Sequence, residues 1–264
     1  MHRILVAPQA IQGDTITVTD PRERHHLVTV LRVTAGDPVE CLDGEGGRYR
    51  GTVLRCTRKE IVIHIDERQR DEGSELQVTL AQALIKPERF EWAIQKATEL
   101  GVRRIIPLLT ARTVSRLTTE RAHAKLNRWQ RIVREAAKQC GRPMIPTLES
   151  PTSLSQFLQS SDRSELLLMP TLAVEASPLG GVLMKHRALR AVTVLIGPEG
   201  DFTPEEVLQA QRRGAEAVSL GPVTLRAETA ALTILSILHY THGALAHRDE
   251  HEDVSQRSSR RASE

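Results

Sequence analysis

From residue 76 onward, short apolar segments alternate with amphipathic segments of helical period, and this alternation limits the fold more than any other feature of the chain. The strand-like segments are residues 78–85, 104–109, 166–169 and 192–196, and the helical ones include 89–100 and 119–140. Strands separated by helices are typical of parallel sheets with helices on their faces. We therefore predict an α/β fold with a mainly parallel sheet.

One of these strands leads into a loop with the composition of a ligand site. The apolar run 192–196 ends in the sequence Gly-Pro-Glu-Gly at 197–200, where two glycines let the backbone approach a ligand closely. Thr203 can cap the following helix, with Pro204 at its first position and Glu206 completing a capping box. The loop is thus predicted to lie between a strand and a well-capped helix.

A second loop repeats this arrangement. The run 217–220 ends at Gly221-Pro222, and Arg226 and Glu228 flank the start of the next apolar helix. Ligands of open α/β sheets bind at the carboxyl ends of strands, so the two loops predict a site for a nucleoside-bearing cofactor. Neither loop has the dinucleotide fingerprint or the P-loop pattern. Two tight turns, with Glu228 matching the helix dipole and Arg226 as its salt-bridge partner, remain an alternative.

The N-terminal part is predicted to be a small β-barrel or sandwich. Segments 50–58 and 61–65 have the pattern of a hairpin, and a short helix is predicted over 21–31. The polar stretch 68–75 is expected to be a linker, and the charged, serine-rich residues after Gly243 a disordered tail. The predicted domains are therefore 1–71 and 75–243, with a tail at 244–264.

Composition excludes several classes of protein. No apolar run reaches the roughly 18 residues that span a membrane, and the N-terminus does not resemble a signal peptide. Cys41, Cys56 and Cys140 form neither a metal-ligand pattern nor a disulfide framework, and His25 and His26 have no Cys/His cluster around them. We expect a cytoplasmic protein without a bound metal.

The basic residues of the chain are mostly arginines. Lysines are confined to positions 59, 86, 96, 125, 138 and 185, although lysine and arginine together number 36. Arginine grips phosphate with two hydrogen bonds, but a GC-rich genome would produce the same bias. Because aromatic residues make up only 3% of the chain, recognition of RNA mainly by stacking on aromatic rings is not expected.

Six ordered motifs give the chain a specific resemblance. They are His26-Leu27 with Val30-Leu31-Arg32 and Gly36-Asp37; Lys86 with residues 95–102; Pro107 with Arg112; residues 135–139 with Arg142 and Pro146; residues 197–200; and residues 225–230. With these motifs the chain closely resembles the bacterial ribosomal small-subunit RNA methyltransferase E family (RsmE) of the SPOUT class. Members of this family use S-adenosylmethionine to methylate N3 of a uridine in 16S rRNA.

The resemblance implies a fold and an assembly. It implies an N-terminal PUA-like β-barrel that binds RNA, followed by a SPOUT α/β methyltransferase domain whose C-terminal part forms a trefoil knot. It also implies a homodimer that acts on 16S rRNA, expected within the small ribosomal subunit, with the cofactor pocket near the dimer interface. Because the sulfonium of S-adenosylmethionine is already activated, no metal is needed.

The resemblance and the loops together predict the site residues. Arg226 is expected to hold the RNA or stabilise charge on the base, and Glu228 is the leading candidate for the general base, although it would otherwise orient Arg226. The predicted cofactor-binding residues are Leu172, Ile196, Gly197, Pro198, Glu199, Gly200, Leu220, Gly221, Pro222 and Leu225. The predicted RNA-binding residues are Arg22, Arg24, His26, Arg32, Lys86, Arg89, Arg112 and Arg142.

Two positions depart from the family pattern, and two other functions stay open. Asp201 stands where glycine is usual, and Val223 where arginine is common.

A non-enzymatic RNA-binding protein would have the same barrel and arginines but no use for the paired loops. A SPOUT enzyme acting on tRNA or large-subunit rRNA would keep the loops and differ in its target.

Overall fold

The computed structural model of the chain describes residues 1–57, 59–71, 76–113, 119–160, 166–172 and 174–243. The predicted tail at 244–264 lies outside the described residues, as do residues 72–75 of the predicted linker. The chain divides into two compact units. The first comprises residues 1–73 together with 125–148, and the second comprises residues 74–124 and those from 149 onward.

The first unit contains a six-stranded sheet. Its strands are β1 (His2–Leu5), β2 (Ile11–Gln12), β3 (Thr15–Val18), β4 (Pro38–Leu42), β5 (Gly47–Cys56) and β6 (Ile61–Arg70), in the order β1-β4-β5-β6-β3-β2. The pairings are antiparallel except for that of β1 with β4. Ile61, Ile63 and Ile65 are buried on one face, as their alternation predicts, and they pack in the apolar core of this unit.

The hairpin of β5 and β6 is longer than the sequence pattern indicates. Strand β6 continues to Arg70, which is paired with Gly47. The prediction that the linker begins at residue 68 is therefore wrong. All side chains of residues 66–70 are exposed, so the stretch has the polar composition of a linker although residues 67–70 pair with β5.

The predicted helix at 21–31 forms as two short pieces. Helix α1 (Pro21–His25) begins at Asp20, whose carboxylate accepts hydrogen bonds from the backbone N–H groups of Arg22 and Glu23. A π-helical turn (His26–Val30) follows, and it buries Leu27. A short 3₁₀ turn (Pro8–Ala10) precedes β2.

Two arginines of the sheet bind the end of helix α3 (Thr119–Cys140) within the first unit. The last carbonyls of a helix lack intrahelical partners. Arg3 donates to the carbonyls of Lys138 and Gln139, and Arg48 donates to that of Gly141 at 2.7 Å. These bonds explain why residues 125–148 belong to the same unit as the N-terminal strands, although they lie within the predicted second domain. Strand β9 (Thr147–Leu148) follows the helix.

Glu40 neutralises both arginines from a buried position, being only 2% exposed. Burial raises the pKa of Glu40, but the hydrogen bonds from Arg3 and Arg48 outweigh it and hold the pKa below its usual value. A carboxylate with a lowered folded-state pKa stabilises the fold above its unfolded pKa of about 4.3, and the contribution is lost as the pH falls through the folded-state pKa.

We therefore expect Glu40→Gln to lower the free energy of unfolding by about 2 kcal/mol at pH 7, since hydrogen bonds to a charged group are lost. Urea denaturation should show the difference from the wild type shrinking as the pH falls below about 4. The control is Glu67→Gln, which removes an exposed ion pair with Arg50 and should change stability by less than about 1 kcal/mol. Equal stability of Glu40→Gln and the wild type at pH 7 would contradict this account.

The cysteines of the first unit differ sharply in environment. Burial raises the pKa of the Cys41 thiol to about 12, with Glu23 and Glu40 adding to the shift, whereas Cys140 is exposed. Because the thiolate is the reactive form, we expect a thiol reagent at pH 8 to modify Cys140 in the native protein and Cys41 only after unfolding. Peptide mass spectrometry reports each site. If Cys41 in the native protein were labelled as fast as Cys140, the prediction would be wrong, and the apolar core of the first unit would have to open in the folded state.

The second unit contains a parallel sheet. Its strands are β7 (Gln77–Ala83), β8 (Arg104–Leu109), β10 (Thr152–Ser153), β11 (Leu166–Pro170), β12 (Ser177–Pro178), β13 (Ala191–Ile196) and β14 (Ala215–Ser219), in the order β10-β8-β7-β13-β11-β14-β12. Every pairing between neighbours in this order is parallel. The α/β class predicted from the alternation is confirmed.

Helices cover this sheet. They are α2 (Pro87–Glu99), α4 (Leu154–Gln159), α5 (Leu179–Leu183), α6 (Pro204–Gln211) and α7 (Ala227–His242). Helix α6 packs on α4 through an apolar cluster that includes Phe202 and Val207, and α7 packs on α2, β7 and β13. Because β11, β13 and β14 are adjacent and parallel, their carboxyl ends and the loops that follow them meet at one edge of the sheet.

Candidate active site

A cavity of about 310 Å³ lies at the carboxyl ends of β11, β13 and β14. Its walls come from the segment 170–172, the loop after β13 and the loop between β14 and α7. Sites for small molecules and cofactors commonly enclose 300–1,000 Å³, with apolar walls and a few polar groups. The two loops singled out in the sequence therefore face the same cavity.

The first loop is held from both ends. Thr203 and Glu206 form the predicted capping box: the Thr203 hydroxyl accepts from the Glu206 N–H at 3.2 Å, and the Glu206 carboxylate accepts from the Thr203 N–H at 2.9 Å. The other carboxylate oxygen of Glu206 accepts from the N–H of Ala111 at 2.8 Å. Arg112 donates to the carbonyl of Gly200. The loop is thus set in place before any ligand arrives.

Two glycines of the cavity wall occupy positions that disfavour a side chain, for different reasons. A Cβ atom on Gly197 would lie 3.1 Å from side-chain atoms of Asp201 and Phe202, so a larger residue would require these neighbours to shift by a few tenths of an ångström. Gly221 has a φ of +126°, a conformation that L side chains rarely adopt.

Most of the predicted cofactor-binding residues line this cavity. They are Leu172, Ile196, Gly197, Pro198, Glu199, Leu220, Gly221 and Leu225. Gly200 and Pro222, also predicted, are not among its lining residues; Gly200 instead bonds to Arg112 through its carbonyl. Arg89, which was predicted to bind RNA, and Asp201, a departure from the family pattern, also line the cavity, as does Thr224, which no sequence feature singled out.

Arg226 also lines the cavity and is exposed. It occupies the N-cap position of α7, with extended backbone angles. Its guanidinium makes no ion pair or side-chain hydrogen bond within the described part of the chain. A positive charge at the rim of a cavity without an internal partner is available to an anionic or carbonyl-bearing substrate.

Glu228 is buried in the first turn of α7, and its partner is Arg89. One carboxylate oxygen of Glu228 lies 3.6 Å from Nε of Arg89, while the other has no hydrogen-bond partner among the described residues. Arg89 also lies 3.9 Å from Glu199 of the first loop. The salt bridge between Glu228 and Arg226 that the sequence left open does not form. Glu228 itself does not line the cavity, although its neighbours Ala227 and Ala230 do.

Comparison with known proteins identifies the family. The RNA methyltransferase domain family matches residues 72–239, and the RNA methyltransferase PUA domain family matches residues 18–66. A ribosomal RNA small subunit methyltransferase E of Synechocystis is 37% identical over 89% of this chain and 76% of its own length. The chain belongs to the ribosomal RNA small subunit methyltransferase E family.

Other members of this family are similar to this chain in sequence or structure over most of its length. The methyltransferase E of Bacillus subtilis is 32% identical over 89% of this chain and 94% of its own length. The crystal structure of the methyltransferase E from Neisseria gonorrhoeae, bound to S-adenosyl methionine, has a TM-score of 0.81 at 28% identity, covering 92% of this chain and 98% of that one. The resemblance inferred from the six motifs is therefore confirmed.

Of the residues predicted to bind RNA in this methyltransferase, Arg89 lines the cavity, and Lys86 and Arg112 contact the loop after β13. Arg112 donates to carbonyls of the first loop, and Arg89 faces Glu199 and Glu228. The backbone N–H of Lys86 donates to Glu199 at 3.3 Å, while the residue itself is exposed. Arg89 and Arg112 therefore support the residues that line the cavity.

A second concavity, of about 800 Å³, lies within the first unit and gathers other predicted RNA-binding residues. Arg22 and His26 line it together with Arg131, Arg134 and Lys138 of α3. The three α3 residues were not among the predicted RNA-binding residues, although their spacing of three and four positions places them on one helix face.

The remaining predicted RNA-binding residues of the methyltransferase do not line this concavity. Arg24 and Arg142 are half-buried, and Arg32 is exposed with a φ of +55°.

Within the described ranges, no group of three His, Cys, Asp or Glu side chains is arranged to hold a metal ion. None of the described helices combines the length and apolar character needed to cross a membrane.

Proposed function

We propose that this chain transfers the methyl group of S-adenosylmethionine to N3 of a specific uridine in 16S rRNA of the small ribosomal subunit. Membership of the methyltransferase E family carries the proposal, because that family is named for methylation of small-subunit rRNA. The cavity supports it, since both loops predicted to bind the cofactor line the same cavity.

The residues of the cavity fit S-adenosylmethionine. Ile196, Leu220 and Leu225 supply apolar surface for an adenine, and the backbone around Gly197 and Gly221 can approach its polar edges closely. When bound, the cofactor supplies a methyl group already activated by a sulfonium. Metal-assisted activation of the methyl group is therefore unnecessary.

The uridine must lose the proton on N3 before that nitrogen becomes a good nucleophile. In our proposal Arg226 holds the base and stabilises negative charge on its carbonyl oxygens. The carboxylate of Glu228, which is buried behind the cavity wall and has one oxygen without a partner among the described residues, receives the N3 proton through a water. Arg89 would keep Glu228 oriented and offset its charge.

RNA capture in this proposal uses the concavity of the first unit. Arg22, His26, Arg131 and Arg134 offer cationic or hydrogen-bonding groups to phosphates there. Arg24, Arg32 and Arg142 of the first unit would add contacts to the RNA, and Lys86 of the second unit would bind it separately. Arg89 and Arg112 act on the RNA through the loops that they support.

The proposal includes the architecture that the resemblance implies. Residues 1–71 would form a closed PUA-like barrel, residues 75–243 a SPOUT domain with a C-terminal trefoil knot, and 244–264 a tail. The active form would be a cytoplasmic homodimer. Light scattering of the purified protein should give twice the 29.4 kDa mass of the chain.

A reaction with purified components tests the proposal. The protein, labelled S-adenosylmethionine and small subunits from a strain lacking the enzyme should yield labelled rRNA whose nucleoside digest contains 3-methyluridine. Large subunits and tRNA serve as alternative substrates. Calorimetric titration with S-adenosylmethionine separates a failure of cofactor binding from a wrong choice of RNA. Label in tRNA or large-subunit rRNA alone would overturn the assignment of the substrate.

A further inference from the structure

The carboxylate of Asp201 joins two walls of the cavity. One oxygen, Oδ2, accepts hydrogen bonds from the Thr171 hydroxyl at 2.8 Å and from the Leu172 N–H at 2.7 Å. The other, Oδ1, accepts from the N–H of Phe202 at 2.8 Å. The loop after β13 is thereby tied to the segment that follows β11.

The segment at Thr171 and Leu172 needs such a tie at its outer end. The N–H of Thr171 donates to the carbonyl of Val218 at 3.3 Å, which holds the inner end against β14. The Leu172 side chain is 67% exposed, so Leu172 itself contributes little apolar burial to the outer end. The carboxylate of Asp201 binds this end through both the Thr171 hydroxyl and the Leu172 N–H.

Asp201 has a φ of +58°, which is unusual for a residue with a side chain. Aspartate visits this region more readily than most residues because its side chain can bond to the nearby backbone, as the bond to Phe202 illustrates. Both carboxylate oxygens act as acceptors here. An asparagine amide has one acceptor oxygen and one donor nitrogen, so it can satisfy only one side of the tie.

We propose that Asp201 is a positioning residue that holds the Thr171–Leu172 wall in the conformation that binds the cofactor. The inference rests on the proposed function, because it takes S-adenosylmethionine as the ligand of this cavity. A wall already in its bound conformation costs no ordering when the ligand enters, so the tie strengthens binding without contributing to the chemical step.

Calorimetric titration with S-adenosylmethionine tests this role. Asp201→Gly tolerates the positive φ and removes all three hydrogen bonds, so we expect the Kd to rise about tenfold. Asp201→Asn keeps one side of the tie and should raise the Kd about threefold. At saturating S-adenosylmethionine, kcat and the KM for RNA should stay within about twofold of the wild type.

Matched variants separate positioning from general stability. Asp66 also accepts a hydrogen bond from a threonine hydroxyl, that of Thr52 at 2.8 Å, and it does not line the cavity. Asp66→Asn should therefore leave the Kd unchanged. Thr171→Val should weaken binding more than Thr171→Ser, which keeps the hydroxyl, and this pair carries the test if Asp201→Gly does not fold.

The outcomes distinguish the two proposals. If the wild type does not bind S-adenosylmethionine, the proposed function fails. If the wild type binds but folded Asp201→Gly and Thr171→Val bind equally well, the positioning role is overturned. A fall in kcat with an unchanged Kd would also overturn it, because the tie would then act on the reaction rather than on the cofactor.

Discussion

Arg226→Ala is expected to lower methylation of small-subunit rRNA by about 100- to 1,000-fold in kcat/KM for RNA, the size of effect seen when a group that stabilises developing charge is removed. Arg226 lines the cavity, and its guanidinium has no ion-pair partner within the described residues, so no internal salt bridge competes for its charge. Measured initial rates with saturating S-adenosylmethionine would report the loss.

Two further variants control this measurement. Arg226→Lys keeps the charge but loses the planar fork, and should recover only part of the activity. Arg213→Ala removes an exposed arginine that lines none of the described concavities, and should react like the wild type. Full methylation by Arg226→Ala would remove this residue from the mechanism.

Glu228→Gln is expected to lower the rate at neutral pH by about 100- to 10,000-fold, the usual contribution of a positioned general base. The amide keeps the shape of the side chain but cannot take up the N3 proton. Raising the pH ionises the uridine in solution, so the rate of Glu228→Gln should climb with pH while that of the wild type levels off. Rate–pH profiles of the two proteins make the comparison.

Arg89 distinguishes a base from an orienting group. If Glu228 only orients Arg89, then Arg89→Ala should lower the methylation rate as much as Glu228→Gln does. The double variant should then be no slower than either single variant. If Glu228 is the base, the loss in Arg89→Ala should be smaller and should lack the rescue at high pH. Full turnover of Glu228→Gln at neutral pH would rule out the base role.

The sequence predicts the local elements of the site well because their signals are local. The capping box of Thr203 and Glu206 depends on residues three positions apart, and it forms as predicted. The strand at 104–109 and the helix at 119–140 have the predicted bounds. Apolar periodicity and capping residues act over a few positions, where the chain leaves few alternatives.

The contacts between elements were beyond such signals. Arg226 and Glu228 look like partners in sequence, but residues two apart at a helix start do not face each other. The partner of Glu228 is Arg89, on a different helix. The tie from Asp201 to Thr171 likewise joins loops after two strands that neighbour one another only in the folded sheet. The sequence shows that Arg131, Arg134 and Lys138 share one face of a helix. It does not show that this face lines the same concavity as Arg22 and His26.

Mass spectrometry of nucleosides from 16S rRNA tests the central claim most directly. A strain in which the gene for this chain is deleted should lack 3-methyluridine in 16S rRNA, and the wild-type chain should restore it while Arg226→Ala should not. Persistence of 3-methyluridine in the deletion strain, or its absence from 16S rRNA of the parent, would contradict the account.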